Sequence, residues 1–242
     1  MSNGPQSAMR DSRWSKWAPI GGIAFIVLFI VGMALFSTPD VDNSAERIRA
    51  FYDDKGNRTQ LIICGYLLVL AAVFFIWFLA SLRATLLEAE GGNGRLTSIV
   101  FASGIVFAAL LMVAAVSFMF VAGEITFGDA PVDPEIARVL PDAGFGFLLI
   151  AGAFAAIAMI DAASVLIMRT GVFPQWIAWL GFVVAVALLA AALFLPFLAL
   201  LLWVGVMSLA LLQSNGVNLP GGNLLTGGRR PAVGPGTTPG AP

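Results

Sequence analysis

The sequence predicts an all-α, polytopic transmembrane bundle of six spans, with two short amphipathic helices in its outer loops. Three observations carry that prediction. Of 242 residues, 59% are hydrophobic and only 11% charged, a balance outside that of soluble globular chains. The apolar residues gather in long runs rather than in the mixed patterns of a soluble core. The polar residues lie between those runs or at the two ends, and no polar stretch is large enough to close a domain of its own. The expected organisation is therefore a cytoplasmic segment over residues 1–16, one transmembrane domain over 17–213, and a Gly/Pro-rich tail over 214–242.

The first run, Ala18 to Phe36, follows Arg10, Arg13, Lys16 and Trp17. Gly32-Met33-Ala34 loosely resembles a small-residue cleavage site. The run is longer than a signal-peptide core, however, and fits an uncleaved span of ~20 residues. Further runs cover Leu61 to Leu82, Leu96 to Ala122 and Ala143 to Met168. The last run, Trp176 to Leu212, would be ~55 Å long as one helix against a hydrocarbon core of ~30 Å. It has to fold back, and Pro196 is the breaker nearest its middle, which places a tight hairpin there and brings the count to six.

With six spans both termini share a side. That side holds Arg10, Arg13, Lys16, Arg83, Arg95, Arg169, Arg229 and Arg230, and the other holds Arg47, Arg49, Lys55, Arg58 and Arg138 together with ten acids. The excess of bases orients both termini to the cytoplasm of a multi-pass cell-membrane protein.

Most of the remaining polar sequence lies in two outer loops. In the first, Asp42-Asn43-Ser44 offers cap oxygens and Glu46 stands three residues after Asn43. Ile48, Phe51 and Tyr52 share a helical face, and Gly56-Asn57 is the expected stop. In the second, Asp133 is the expected cap, Pro134 takes the first helical position, and Val139 and Leu140 supply apolar contacts. The tail from Gly216 holds eight Gly and five Pro in 27 residues and is expected to be disordered.

The chemistry missing from the chain is more specific than its motifs. There is no His, and Cys64 is the only cysteine. His-ligated haem, His-based zinc, a Ser-His dyad and an intramolecular Cys-x-x-Cys centre are excluded. Both lysines lie outside the apolar runs, so no intramembrane Schiff base has a residue to form on. Gly91-Gly92-Asn93-Gly94 falls in a short inner loop, where it reads as a turn and not as a phosphate-binding motif. The outer acids Asp40, Asp42, Asp53, Asp54, Asp129, Asp133 and Glu135 lack the alternation of a calcium loop and read as solvated. No catalytic residue, metal or cofactor is expected, and nothing points to nucleic acid.

One acid stands out. Asp161 lies eight residues before Arg169, hence ~12 Å inside the cytoplasmic boundary. An ionised acid at that depth costs ~3 kcal/mol on insertion scales and calls for a partner, a wet cavity or a proton. Desolvation with no cation in any apolar run favours the protonated form. Ser103 reaches a similar depth from Arg95 by the same helical rise, and Ser164 and Ser208 are the other hydroxyls within reach, so Asp161, Ser103, Ser164 and Ser208 form the candidate intramembrane polar site. Ala151, Ala155, Ala158 and Ala162 adjoin it as a small-residue stripe that permits close helix approach, within the bundle or at a subunit contact. Trp14, Trp17, Trp176 and Trp179 fit an interfacial belt. Phe74, Phe75, Trp77 and Phe78 read as packing or lipid-facing residues.

Three segments carry a family likeness. They are Ser44-Ala45-Glu46-Arg47-Ile48 through Phe51-Tyr52, Phe78-Leu79-Ala80-Ser81-Leu82-Arg83, and Pro174-Gln175-Trp176-Ile177-Ala178-Trp179-Leu180-Gly181. Across most of residues 17 to 213 the chain resembles a broad group of bacterial six-pass membrane proteins of unknown function. The resemblance implies the six-pass architecture and carries over no activity. The expected role is a non-enzymatic accessory, sensor or partner-binding unit in the lipid bilayer, engaging another membrane protein or a second copy. The alternative is a proton-coupled or small-solute transporter using Asp161.

Overall fold

The computed structural model describes residues 20–39, 42–92, 94–128, 131–190 and 197–214. The described elements are α1 (Ile20–Leu35), α2 (Ala45–Asp53), α3 (Lys55–Glu90), α4 (Arg95–Phe127), α5 (Pro134–Phe145), a π-helical turn (Gly146–Gly152), α6 (Ala153–Thr170), α7 (Gln175–Leu188) and α8 (Phe197–Ser214). All are helical, and no strand occurs among the described residues.

Four helical stretches are long and apolar enough to cross a membrane: α3, α4, the continuous run Pro134–Thr170, and α8. The expected six is thus met by four on length. Helix α1 has 16 residues and α7 has 14, which is ~24 and ~21 Å of rise, short of a ~30 Å core. Helix α1 follows directly on residues outside the described set, and α7 is followed by them after the turn at Leu189 and Ala190. The hairpin expected at Pro196, the N-terminal segment with Trp14 and Trp17, and the Gly/Pro tail also lie outside it.

The helices close a ring. Going round it, α1 packs on α3, α3 on α4, α4 on α6, α6 on α7, α7 on α8, and α8 back on α1. Phenyl rings fill the centre: Phe75 of α3 stands 4.9 Å from Phe25 of α1 and 5.0 Å from Phe107 of α4, and Phe197 of α8 stacks 5.5 Å from Phe29. Such pairs contribute ~0.5–1.5 kcal/mol beyond the area they bury. Of the aromatic run on α3, Phe75 and Phe78 belong to this core, whereas Trp77 is 53% exposed. Glycine permits the closest helix crossings. A Cβ on Gly65 of α3 would run into the Met119 side chain of α4, and one on Gly104 would come within 2.6 Å of Leu79.

The loops are more ordered than their composition suggests. Between α3 and α4, Gly91 and Gly94 adopt left-handed φ of 56° and 60°, a conformation that disfavours any residue with a Cβ. Glu90 then caps the next helix. Its carboxylate accepts from the backbone N–H groups of Leu96 and Thr97 and from the Thr97 hydroxyl at 2.6–2.9 Å. These bonds, led by the one from the Thr97 side chain, hold its carboxyl below the ordinary value of 4.5.

On the opposite side, α2 and α5 form a folded cap with its own small core. Ile48, Tyr52, Leu61, Val121, Ala122 and Ala137 are all buried there. Of the three expected cap oxygens it is Ser44 that caps α2, accepting from the Arg47 N–H. The expected stop at Gly56-Asn57 is also corrected. Asp54 accepts from the backbone N–H of both residues at 2.6 and 3.1 Å, which makes them the first turn of α3. A carboxylate satisfying two free donors starts a helix more effectively than a glycine ends one.

Asp133 and Pro134 begin α5 as expected. The residues α5 buries are Ala137, Pro141 and Gly144, while Val139 is 61% exposed. Nor is α5 a separate loop helix, because it runs through the π turn directly into α6. Pro141 lacks an N–H for the ladder, and the wider turn that follows adds one residue, which rotates every later face by ~100°.

Candidate intramembrane polar site

The four predicted residues all lie in or beside the ring, but not in one cluster. Asp161 is half-buried on α6. Its outward neighbours on the same helix, Phe154 at 62% and Met168 at 41% exposure, face away from the bundle, as does the exposed Ala158. The acid sits at the flank of the ring, and among the described residues it makes no hydrogen bond or ion pair.

Ser103 is half-buried on α4. Because its neighbour Gly104 lies against Met159, with a Cβ there 3.1 Å from the thioether sulfur, Ser103 is level with the turn before Asp161. No hydrogen bond joins the two. The two residues thus lie within about a turn of each other along the ring, on helices that do not bring their side chains together.

Ser164 lies one turn beyond Asp161 and is fully buried, facing inward. It packs against the bare Cα of Gly181 on α7, where a Cβ would collide with its hydroxyl. The same Cβ would come 3.1 Å from Nε1 of Trp203 on α8. Neither the Ser164 hydroxyl nor the Trp203 Nε1 has a hydrogen-bond partner. Three helices therefore meet at a point lined by two buried polar groups and a glycine. Gly181 and Trp203 were not singled out from the sequence. The signal available was the small residue in Trp179-Leu180-Gly181 and a lone indole in an apolar helix.

Ser208 is elsewhere. Its hydroxyl donates to the Val204 carbonyl at 2.8 Å and packs into the space that a side chain on Gly22 of α1 would need. It closes the α1–α8 contact.

No family model matches this chain, and no curated protein and no solved structure gives a match. What the site can do is therefore read from its geometry alone. Among the described residues no group of three or more His, Cys, Asp or Glu could hold a metal ion. A groove of about 380 Å³ opens between the cap-side ends of α3 and α4, lined by Ile62, Tyr66, Met119, Phe120 and Glu124 among others. It lies toward the cap, remote from Asp161 along the helices. Asp161 itself offers a carboxyl group to whatever packs beside α6, and the Ser164–Gly181–Trp203 contact fixes the inner face of that helix.

Proposed function

We propose that this chain is a six-pass, non-enzymatic cell-membrane protein that acts by engaging other proteins, with both termini cytoplasmic and the acidic outer cap as its recognition surface. The observation that carries the proposal is that the cap is a folded unit. The Arg138 guanidinium donates to the Asn43 carbonyl at 2.6 Å, tying one outer segment to the other, and pairs with Glu135 at 3.2 Å. Gln60 donates to the Leu35 carbonyl at 2.8 Å, tying the cap's base to the end of α1. Around this frame Asp42, Glu46, Asp53, Asp54, Asp133, Glu135 and Asp142 are all exposed, so a fixed, mostly acidic surface is presented. Arg47, Arg49 and Lys55 are exposed on the same cap, and the excess of acids on this tied support steers and selects a basic partner.

Ring closure supports the six-span reading beyond the four helices that are long enough to cross. Helices α1 and α7 each pack between two neighbours, and in the sequence each is continued by apolar residues beyond its described end. The likeness to bacterial six-pass proteins belongs to the same proposal. The competing reading, transport through Asp161, requires the acid to line a passage, and its seat on the flank of α6 favours a lateral role.

The test is affinity purification of the full chain in mild detergent, beside a variant carrying Asp42, Glu46, Asp53 and Asp142→Lys, which leaves the Asp133 cap and the Glu135–Arg138 pair in place. A stoichiometric protein partner is expected with the wild type and lost with the variant at unchanged thermal stability. Recovery of the wild type as a bare monomer overturns the reading.

A further inference from the structure

Asp161 is a polar group on a surface that otherwise meets lipid. On α6 the exposed Phe154, Ala158 and Met168 and the half-buried Asp161 and Val165 follow one another at spacings of three and four, the interval at which one helix seats against another. All but Asp161 are apolar. The acid has no partner among the described residues, and Ala158, one turn away and exposed, leaves room for a neighbouring backbone to approach.

An ionised carboxylate about two turns inside the membrane is strongly unfavourable when left to lipid. Another helix with a complementary charge removes that cost. A second copy of this chain is unable to supply it, since no Lys or Arg lies in any of its apolar runs and the opposing copy would bring only another acid.

From this we propose that the Asp161 face of α6 is a lateral docking site for a transmembrane helix of a different protein, one bearing a Lys or Arg at the depth of Asp161. The proposal rests on the partner-binding reading above but uses a separate surface. The cap selects from outside, and Asp161 fixes rotation and depth within the bilayer. In such an interface the carboxylate accepts from the ammonium or guanidinium, and Phe154 and Met168 supply apolar contact on either side of the pair.

The experiment uses the full chain, with a fluorescent protein fused to its C-terminus, in phosphatidylcholine vesicles. The probe is an acceptor-labelled Leu/Ala transmembrane peptide with a single Lys placed two turns from its cytoplasmic end. The controls are the same peptide with Gln there and with Lys moved to the opposite end. Energy transfer is expected to report association ~10-fold tighter for the Lys peptide than for either control, as one buried polar pair supplies. In Asp161→Asn and Asp161→Leu that preference is expected to vanish. Asp161→Leu suits the apolar face and keeps the test informative if the Asn variant folds poorly. Equal binding of the Lys and Gln peptides, or a preference that survives both substitutions, overturns the proposal. So does energy transfer between two labelled copies that Asp161→Asn abolishes, which assigns the face to self-association. The cap variant with four Lys substitutions is expected to bind the peptide normally, so that failure of the outer recognition surface and failure of this site give different results.

Discussion

At the scale of single residues, Gly181 shows how a missing side chain determines a contact. Its bare Cα accepts the Ser164 hydroxyl and lies beside the Trp203 Nε1. Gly181→Ala is expected to destabilise the protein by ~1–3 kcal/mol, the usual cost of overpacking a close contact. The measurement is the thermal midpoint in detergent, and adding Ser164→Ala is expected to restore part of the loss, since it removes the atom that collides. An unaltered midpoint in the single variant would count against the packing described. None of this was legible in the sequence, because the three residues lie on three helices and only the fold brings them together. Asp161 was legible as an anomaly from its neighbours alone. Its direction was not, because which face of α6 meets α4 and α7 is set by pairings between distant parts of the chain.

At the scale of elements, ends proved more readable than lengths. Asp133-Pro134 acts through groups within one turn, so local sequence located that start. Asp54 was passed over in favour of Gly56-Asn57 because its two backbone partners follow it and a glycine looks like a stop. Glu90 illustrates a cap supplied from the preceding helix across a four-residue turn. Removing it in Glu90→Ala leaves the first donors of α4 without their acceptor and is expected to cost ~1 kcal/mol. The pH dependence follows from the direction of its shift. Its folded carboxyl titrates below 4.5, so its contribution is complete above the unfolded value and is lost as pH falls through the folded one. Acid titration of thermal stability is expected to separate wild type from Glu90→Ala at neutral pH and bring them together in strong acid. Curves that run parallel throughout would contradict this.

At the scale of the whole molecule, two cores with different surroundings share helices α3 and α4. The larger, around Phe75 and Phe107, lies in the ring; the smaller, around Ile48 and Tyr52, lies in the cap. Burial pushes the Tyr52 hydroxyl up to about 12 from its ordinary 10. Its contribution to stability is therefore complete below the unfolded value and drains away as pH rises toward the folded one. Absorbance of the phenolate in wild type and Tyr52→Phe is expected to assign a late-titrating tyrosine to this position. Cap folding should loosen over that same alkaline range, and an early-titrating Tyr52 would show the cap core to be open. The all-helical class and the apolar runs were evident from composition. The closed order of the helices and the second core were not, since both depend on pairings between distant parts of the chain.

Ring closure also has a consequence for biosynthesis. Among the described helices α1 comes first in the chain and α8 last, yet they are neighbours, and Ser208 fills the notch at Gly22. Until α8 is made, the inner face of α1, with Phe25 and Phe29, lacks one of its walls. A ribosome stalled after α7 thus leaves an open-sided bundle, and addition of α8 is the event that seals it.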